Sequence, residues 1–289
     1  MSAMEKLHEN LKYIGLVAKS ADGLDKIVKF FEKKNIEILF MKGHFDLGIK
    51  CLEIDEILKK TNFIISCGGD GTLISTARKL ALKNAYVLGI HAGSLGFLTD
   101  IRLDELEKFW DEFCAGNYVV ERPLMLEISL IKGKKASKFY AFNDVAISRK
   151  SAAPSAKIDA FLDGKYFNTY FGDGVIICSP TGSTAYNMSA NGPIIYPLSD
   201  VFCVTPICSH SLTQRPLILP KKYQLSFKKA NESAIVCVID GQDRFEFAEF
   251  DEIKIAVNNT RANLIRHANR DYFDVLKLKL QWGYSEVRK

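Results

Sequence analysis

The chain has 289 residues, of which 47% are hydrophobic and 25% charged, the balance of a globular protein with one large or two ordinary domains. Its 39 basic and 34 acidic residues give a net charge of +5, without the concentrated basic stripe of a nucleic-acid binder. No apolar run approaches the ~20 residues that cross a bilayer, and the charged start lacks an apolar signal core, so we expect a cytoplasmic protein with no nucleic-acid or membrane partner.

The first 113 residues alternate between apolar strand-like runs and amphipathic helices. Strands are expected at 13–18, 36–41, 62–66 and 86–90, and helices at 24–34, 72–82 and 103–113. Apolar strands separated by helices are typical of a parallel sheet with helices on its faces and right-handed crossovers. The region 1–113 is therefore predicted to be an α/β domain.

After residue 113 the pattern changes to shorter alternating runs. The stretches 125–131 and 138–149 are expected to form a hairpin, and the Asp163-Gly164 dipeptide marks a second one. Further strands are expected at 223–228, 234–240 and 253–257. We therefore predict a larger, β-rich and mainly antiparallel domain over 114–267. The tail 268–289 fits both a strand and a helix, and we expect a helix that packs back on the first domain.

The sequence FIISCGGDGT (63–72) ends a buried strand in a glycine-rich turn before a helix. The free N–H groups of a helix start and the helix dipole together bind anions. The turn matches neither the Walker A loop nor G-x-G-x-x-G. Either Asp70 caps the helix, or the loop binds phosphate and presents Asp70 for chemistry. Three glycines in four residues exceed what a cap requires and favour the second interpretation.

Three further stretches carry polar residues at strand ends. HAGSLGFLTD (91–100) follows the next parallel strand, at the sheet edge where such folds bind ligands. Asn143 and Asp144 interrupt an apolar strand, either at a solvated bulge or as buried binding groups. The stretch GDGVIICSPTGSTAYNMSANGP (172–193) places hydroxyls and Tyr186 at a helix start, which suits a nucleotide.

Together these stretches resemble the NAD kinase family in order and spacing, over residues 13–284. The segments that carry the resemblance are GGDGT (68–72), SLGFLT (94–99), ND (143–144), GDGVIICSPTGSTAYN (172–187) and HSLTQRP (210–216). GGDGT has relatives in diacylglycerol kinases, sphingosine kinases and phosphofructokinases, whereas SPTGSTAYN is more specific. The resemblance implies a Rossmann-like, phosphofructokinase-like first domain and a β-rich second domain, with NAD between them.

The resemblance also implies a reaction and a set of site residues. NAD kinases transfer the γ-phosphate of ATP, and in some members of polyphosphate, to the 2′-hydroxyl of the adenosine ribose of NAD, giving NADP. Asp70 is the implied catalytic residue, which accepts the proton of that hydroxyl. The implied phosphate- and dinucleotide-binding residues are Gly68, Gly69, Gly71, Thr72, Asn143, Asp144, Asp173, Thr184, Ala185, Tyr186, Asn187, Met188, Ser189 and Gln242. Asp144 stands where the family usually has Glu, which is one methylene longer. His210 matches a histidine near the family's site, although a packing role is an equal alternative.

Cofactor and assembly expectations follow from the same resemblance. Mg²⁺ is expected to bind mainly through substrate phosphates, with no metal site formed by the protein itself. The seven cysteines form no C-x-x-C pair and are expected to be free thiols. Family members are usually oligomers, so a homodimer or homotetramer is expected.

Two other functions share part of this pattern. A lipid kinase of the diacylglycerol type has GGDGT and a two-domain organisation but lacks SPTGSTAYN. A non-catalytic NAD(P) sensor would keep the fold and bind without turnover, and the intact Asp70 argues against it.

Overall fold

The structure is a computed structural model that describes residues 7–9, 11–42, 50–91, 96–99, 101–151, 153–257 and 260–283. The chain divides into two compact units. Unit 1 comprises Met1–Glu121 and Asn263–Lys289, and unit 2 comprises Arg122–Ala262. In the part of the chain that the structure describes, no helix is long and apolar enough to span a membrane.

Unit 1 begins with the alternation of strands and helices that the periodicity predicts. Its elements up to residue 121 are β1 (Tyr13–Ala18), α1 (Leu24–Glu32), β2 (Glu37–Phe40), α2 (Ile54–Leu58), β3 (Phe63–Cys67), α3 (Asp70–Lys79), β4 (Tyr86–His91), β5 (Ile101–Arg102), α4 (Leu106–Cys114) and β6 (Tyr118–Glu121). Helix α2 was not predicted, because five residues are too few to establish a helical period.

Unit 2 consists mainly of strands. Its elements are β7 (Leu126–Lys132), β8 (Lys135–Ala141), β9 (Asp144–Arg149), β10 (Ala156–Leu162), β11 (Lys165–Gly172), β12 (Gly174–Cys178), the short α5 (Tyr186–Ser189), β13 (Val201–Ile207), β14 (Leu217–Pro220), β15 (Gln224–Lys229), β16 (Ile235–Ile239), β17 (Asp243–Glu246) and β18 (Glu252–Ala256). A 3-10 turn, Thr181–Thr184, precedes α5.

The chain then returns to unit 1 as β19 (Asn263–His267) and α6 (Tyr272–Leu280). Among the described residues, the sheet of unit 1 has the order β2-β1-β3-β4-β19-β6, with β5 beside β4. Its pairs are parallel except that of β6 with β19. Strands β3 and β4 are buried at every position, as expected of a parallel sheet with both faces covered.

Strands β6 and β19 correct the sequence interpretation, which assigned both segments to the β-rich region 114–267. Both lie in the sheet of unit 1, where β19 pairs with β4 in parallel and with β6 in antiparallel orientation. The residue pattern of a strand reports which of its faces is buried but not which strand it pairs with. The α6 segment is a helix and belongs to unit 1.

The described strands of unit 2 form two six-stranded antiparallel sheets. Their orders are β11-β10-β15-β18-β7-β8 and β14-β13-β12-β9-β16-β17. Side chains from both sheets, including Ile128, Val175 and Phe227, form one apolar core. The predicted hairpin across Asp163-Gly164 is confirmed, since both residues have positive φ and connect β10 to β11. The α/β fold class, with a parallel first sheet and antiparallel β-rich sheets, is confirmed as well.

The predicted strand 138–149 is wrong as a single element, because it is two strands in different sheets. Strand β8 ends at Ala141 and pairs with β7, whereas β9 begins at Asp144 and pairs with β12 and β16. Phe142 and Asn143 connect the two sheets. The change of sheet therefore places Asn143 and Asp144 at the start of a strand instead of in its middle.

Helix α6 offers a test of the fold, since it begins at a capped residue and buries one leucine. The Asp271 carboxylate accepts a hydrogen bond from Phe273 N at 2.8 Å. Leu276 is 2% exposed and Leu278 is 66% exposed. Leu276→Ala should lower the midpoint of thermal unfolding by about 4 °C or more, because it leaves a buried cavity. Leu278→Ala, the matched control, should shift the midpoint by under ~2 °C. Equal shifts for the two variants would contradict this placement of α6.

Candidate active site

The Asp70 carboxylate is bound by the segment 97–99 of the same unit. Helix α3 begins at Asp70, and its N-cap, Gly69, has no side chain with which to cap it. Oδ2 of Asp70 accepts a hydrogen bond from Phe97 N at 2.8 Å. Oδ1 accepts bonds from Leu98 N at 3.1 Å, Thr99 N at 3.2 Å and Thr99 Oγ1 at 3.3 Å. The carboxylate is therefore oriented by a neighbouring segment, and it does not cap its own helix.

Gly96 provides the space into which this carboxylate packs. A Cβ at residue 96 would lie 1.9 Å from Oδ1 and 2.7 Å from Oδ2 of Asp70, far inside contact distance. Residues 92–95 and 100 of the sequence HAGSLGFLTD, including Gly93, lie outside the described residues. The part of this stretch that is described thus serves to hold Asp70.

The glycines of the GGDGT turn divide into two kinds. Gly68 has a φ of 155°, and a Cβ there would meet Thr72 Oγ1 at 2.4 Å, so the fold itself requires glycine. Gly69 and Gly71 lack positive φ, and a Cβ at either would meet no atom of the described residues within 4 Å. Packing within the protein therefore does not require glycine at these two positions. The open space beside the start of α3 suits the close approach of an anion.

In unit 2, the connection between the two sheets is held by one carboxylate. Asp240 accepts hydrogen bonds from the backbone N of Phe142, Asn143 and Asp144, at 2.7, 2.8 and 2.9 Å. Asp240 lies with Gly241 in the positive-φ turn between β16 and β17, and Gln242 follows, exposed. The predicted residues Asn143, Asp144 and Gln242 are therefore brought together by a residue that sequence reasoning missed.

The carbonyl side of the same connection is held by the SPTG turn. Ser179 Oγ and Thr181 Oγ1 donate hydrogen bonds to Phe142 O, at 2.6 and 3.0 Å. Ser179 N donates to Asn143 O at 2.8 Å. A Cβ at Gly182 would lie 2.1 Å from that same carbonyl oxygen, so this turn packs directly on Asn143. The two motifs ND and SPTGSTAYN are thus one hydrogen-bonded structure.

Asn143 and Asp144 have different environments. Asn143 Oδ1 is buried, and within the described residues it has no hydrogen-bond partner, which is costly unless a ligand binds there. Asp144 is 6% exposed. Burial and the nearby charge of Asp240 raise the pKa of Asp144 to about 7, against a smaller lowering by the Tyr186 N–H. A buried carboxylate with a raised pKa, next to a buried amide oxygen that lacks a partner among the described residues, indicates a functional site.

The other predicted residues of unit 2 differ in how far the protein engages them. Asp173 accepts a hydrogen bond from Arg149 Nε at 2.6 Å, and this guanidinium lowers the pKa of Asp173. Asn187 is fully buried: its Nδ2 donates to Ser183 O and Pro193 O, and its Oδ1 accepts a bond from Thr205. Its polar atoms therefore support the segment 184–189 from inside.

Within that segment, the side chains that reach solvent lie around α5. Tyr186 is 45% exposed and Ser189 is exposed, whereas Thr184, Ala185 and Met188 are half-buried. The His210 ring packs against Phe171 at an interplanar angle of 50°, with ring centroids 4.4 Å apart, and its Nε2 lies 3.2 Å from Ser155 Oγ. The structure thus gives His210 a packing contact.

Each unit therefore carries its own constellation. Unit 1 has an oriented carboxylate at the start of a helix beside a glycine turn, and unit 2 has a buried aspartate and a half-buried asparagine beside a hydroxyl-rich turn. An α/β protein with these features belongs to the class of kinases, in which phosphates bind at a helix start and an acid faces the acceptor.

The comparisons with known proteins agree with that class. Residues 50–118 match the model of the ATP-NAD kinase N-terminal domain, and residues 142–267 match that of the ATP-NAD kinase C-terminal domain. An NAD kinase of Campylobacter jejuni (strain 81-176) is 46% identical over 283 residues, which are 96% of this chain and 98% of the relative. An NAD kinase of Sulfurimonas denitrificans is 41% identical, with 94% and 98% covered. The chain therefore belongs to the NAD kinase family, and it is an enzyme of the phosphotransferase type.

Two solved structures share the fold. The yeast NADH kinase complexed with NADH has a TM-score of 0.84 and 23% identity, with 96% of this chain and 90% of that chain covered. An NAD kinase from Archaeoglobus fulgidus in complex with ATP has a TM-score of 0.76 and 22% identity, with 93% and 98% covered. At these identities the likeness establishes the fold.

The two kinds of glycine lead to opposite expectations. Gly71→Ala should leave the unfolding midpoint unchanged or slightly raised, since alanine favours a helix by roughly 0.5–1 kcal/mol. Its methyl group should nevertheless lower the affinity for ATP at least tenfold, as measured by calorimetry, because it occupies the space beside the start of α3. Gly96→Ala should lower the midpoint by several degrees, since its methyl group collides with Asp70. Unchanged ATP affinity in Gly71→Ala would contradict a phosphate site at this turn.

The raised pKa of Asp144 predicts how stability depends on pH. The folded value of about 7 lies above the ordinary 3.8, so the folded protein holds this proton more tightly than the unfolded chain. The stabilisation is complete below pH ~4 and is lost as the pH rises to ~7. Between pH 5 and 8, the unfolding midpoint of the unliganded wild type should fall by about 3 °C more than that of Asp144→Asn. The exposed Asp274→Asn should follow the wild type, and parallel curves for all three would refute the prediction.

Proposed function

We propose that this protein transfers the γ-phosphate of ATP to the 2′-hydroxyl of the adenosine ribose of NAD, giving NADP. The observation that carries the proposal is the Asp70 carboxylate, held by four hydrogen bonds at the start of α3 beside an open glycine turn. In phosphoryl transfer the protein mainly positions reactants and stabilises charge, and one acid orients or deprotonates the nucleophile. Asp70 has the chemistry and the fixed orientation for that role.

The two oxygens of Asp70 are unequally used. Among the described residues, Oδ1 accepts three hydrogen bonds and Oδ2 accepts one, from Phe97 N. A carboxylate offers about four lone-pair positions over its two oxygens. Oδ2 therefore keeps the capacity to accept the ribose hydroxyl, and we assign it as the atom that takes or directs the proton.

The phosphates of ATP would bind at the start of α3. This helix has ten residues, and its dipole places a partial positive charge at that end. Gly69, Gly71 and Thr72 surround that end, and the first two leave open space for phosphate oxygens. Inorganic polyphosphate carries the same phosphoanhydride and is a further donor to test.

Mg²⁺ is proposed to bind mainly through the substrate phosphates. This cation prefers hard oxygen ligands and keeps several waters, with few carboxylates from the protein. In the described ranges, no group of three or more His, Cys, Asp and Glu side chains could hold a metal ion. When bound, Mg²⁺ supplies charge neutralisation to the phosphate oxygens.

The dinucleotide is proposed to bind to residues of unit 2. The unpartnered Oδ1 of Asn143 can accept a hydrogen bond from the ligand, and Asp144 can accept one from a hydroxyl. The exposed ring of Tyr186 offers a stacking face. The other proposed binding residues are Asp173, Thr184, Ala185, Asn187, Met188, Ser189 and Gln242, of which Asn187 acts by supporting its neighbours. The NADH and ATP complexes of the two structural relatives support a dinucleotide and a nucleoside triphosphate as ligands.

The setting of the enzyme is proposed from its family and surface. We infer a cytoplasmic homodimer or homotetramer. Strand β14 lies at the edge of its sheet in unit 2, and its Leu217 and Ile218 are 41% and 46% exposed. Exposed apolar residues on an edge strand favour association with another copy over a free monomer.

The proposal is tested with purified protein, ATP, Mg²⁺ and NAD, with NADP read through an NADP-specific dehydrogenase. Asp70→Asn should lower kcat by ~10²–10⁴-fold, the usual contribution of a general base, while the affinity for NAD changes by less than threefold. Asp274→Asn, an exposed aspartate on α6, is the matched control and should retain full turnover. Failure of the wild type to form NADP would overturn the function, and near-normal turnover of Asp70→Asn would overturn the role of Asp70.

A further inference from the structure

Two buried arginines and one glutamate lie behind the segment that holds Asp70. Arg266 is on β19, Arg270 follows that strand, and Glu121 ends β6. The side chains of Arg266, Arg270 and Glu121 are 2%, 8% and 19% exposed. Glu121 Oε2 lies 3.2 Å from Arg266 Nε, and Oε1 lies 3.3 Å from Arg270 Nη1. One carboxylate thus joins the two guanidinium groups.

Such a cluster is costly unless its remaining donors are used. Removing charges from water carries a penalty that ion pairing alone often fails to offset. Beside them on β19, Leu264 and Ile265 are fully buried apolar residues, so packing does not call for charge here. The extra hydrogen bonds of the two arginines therefore identify what the cluster is for.

Both arginines donate to backbone carbonyls of the segment that binds Asp70. Arg270 Nη2 donates to Phe97 O at 3.0 Å, and Arg266 Nη1 donates to Leu98 O. The carbonyl of Phe97 and the N–H of Leu98 belong to one peptide group, and the carbonyl of Leu98 and the N–H of Thr99 belong to the next. Those two N–H groups donate to Asp70 Oδ1 at 3.1 and 3.2 Å. Each arginine thus acts on one end of a peptide group whose other end binds Asp70.

We propose that Arg266 and Arg270, joined by Glu121, are positioning residues that orient the Asp70 carboxylate through the two peptide groups 97–98 and 98–99. The inference rests on the proposed function of Asp70. A cation at a carbonyl polarises the peptide and strengthens its N–H as a donor, since hydrogen bonds in a chain reinforce each other. The strengthened donors hold Oδ1, which leaves Oδ2 directed to the substrate hydroxyl.

Asp70 could otherwise cap its own helix, and this competing interaction explains why such support is needed. An aspartate in the first turn of a helix is attracted by the free N–H groups and the dipole of its own helix. A loosely held segment 97–99 would let the Asp70 side chain rotate toward those groups. The arginines fix the segment, and so they keep the carboxylate in its working orientation.

The test is a double-mutant cycle between residues 270 and 70, read through the same NADP assay. Arg270→Met should lower kcat about 10–100-fold while the KM for NAD changes by less than threefold, because the reacting group and not the dinucleotide site is disturbed. In the Asp70→Asn background, Arg270→Met should lower the residual kcat by less than threefold, since its effect acts through the carboxylate. Arg270→Lys, which restores a cation, should recover at least part of the loss.

Lys277→Met, on the exposed face of α6 in the same unit, should change neither kcat nor the unfolding midpoint. An equal loss from Arg270→Met in the presence and absence of the Asp70 carboxylate would overturn the inference, because the arginine would then support structure alone. Should Arg270→Met fail to fold, Arg270→Lys and Glu121→Gln carry the same two-background comparison. A wild type that forms no NADP would refute the proposed function itself. The failure of the function and the failure of the positioning role are therefore separate outcomes.

Discussion

The Asp70 carboxylate accepts hydrogen bonds from Phe97, Leu98 and Thr99, and these bonds compete with the N–H groups at the start of α3 for the same oxygens. A hydrogen bond to a charged group contributes about 1.5–3 kcal/mol, whereas a helix cap contributes about 1 kcal/mol. Four bonds from one segment therefore outweigh capping. The carboxylate does not cap its own helix, and among the described residues no atom lies within 4 Å of a Cβ built at Gly69 or Gly71 beside that helix end.

Hydrogen bonds between a carboxylate and backbone N–H groups are also central to unit 2, but there the carboxylate fixes the backbone, whereas in unit 1 the backbone fixes the carboxylate. The Asp240 carboxylate accepts hydrogen bonds from three backbone N–H groups and thereby fixes the place where the chain passes from one sheet to the other. Ser179 and Thr181 hold the carbonyl of the same connection. The result is a strand start with the half-buried Asn143 and the buried Asp144, whose pKa is raised by its burial and, to a lesser extent, by the charge of Asp240. Fixed backbone dipoles and a few carboxylates, rather than a large polar cluster, shape both constellations.

Much of this architecture was accessible from local pattern. The strands at 13–18 and 86–90 and the hairpin turn at Asp163-Gly164 agree with periodicity and turn chemistry, whereas the periodicity of the tail fitted both a strand and the helix that is found. The prediction of one long strand at 138–149 was wrong. The alternation of apolar and polar residues continues across Phe142 and Asn143, whereas the strands that pair with the chain change there. Apolar alternation reports burial, and both sheets bury their strands against the same core.

By itself, the sequence determined which residue types stand at the strand ends: three glycines around a carboxylate, and an amide beside an acid. Those are local facts, and together with the segment SPTGSTAYN they indicated the family and singled out Asp70 as a candidate. Only the tertiary structure decided what holds these groups, since the partners are far apart in the chain. Arg266 binds a carbonyl 168 residues away, and Asp240 binds Asn143 across 97 residues. Such hydrogen bonds produce no repeating pattern in the sequence, because each depends on a single pair of residues that come into contact only when the chain folds.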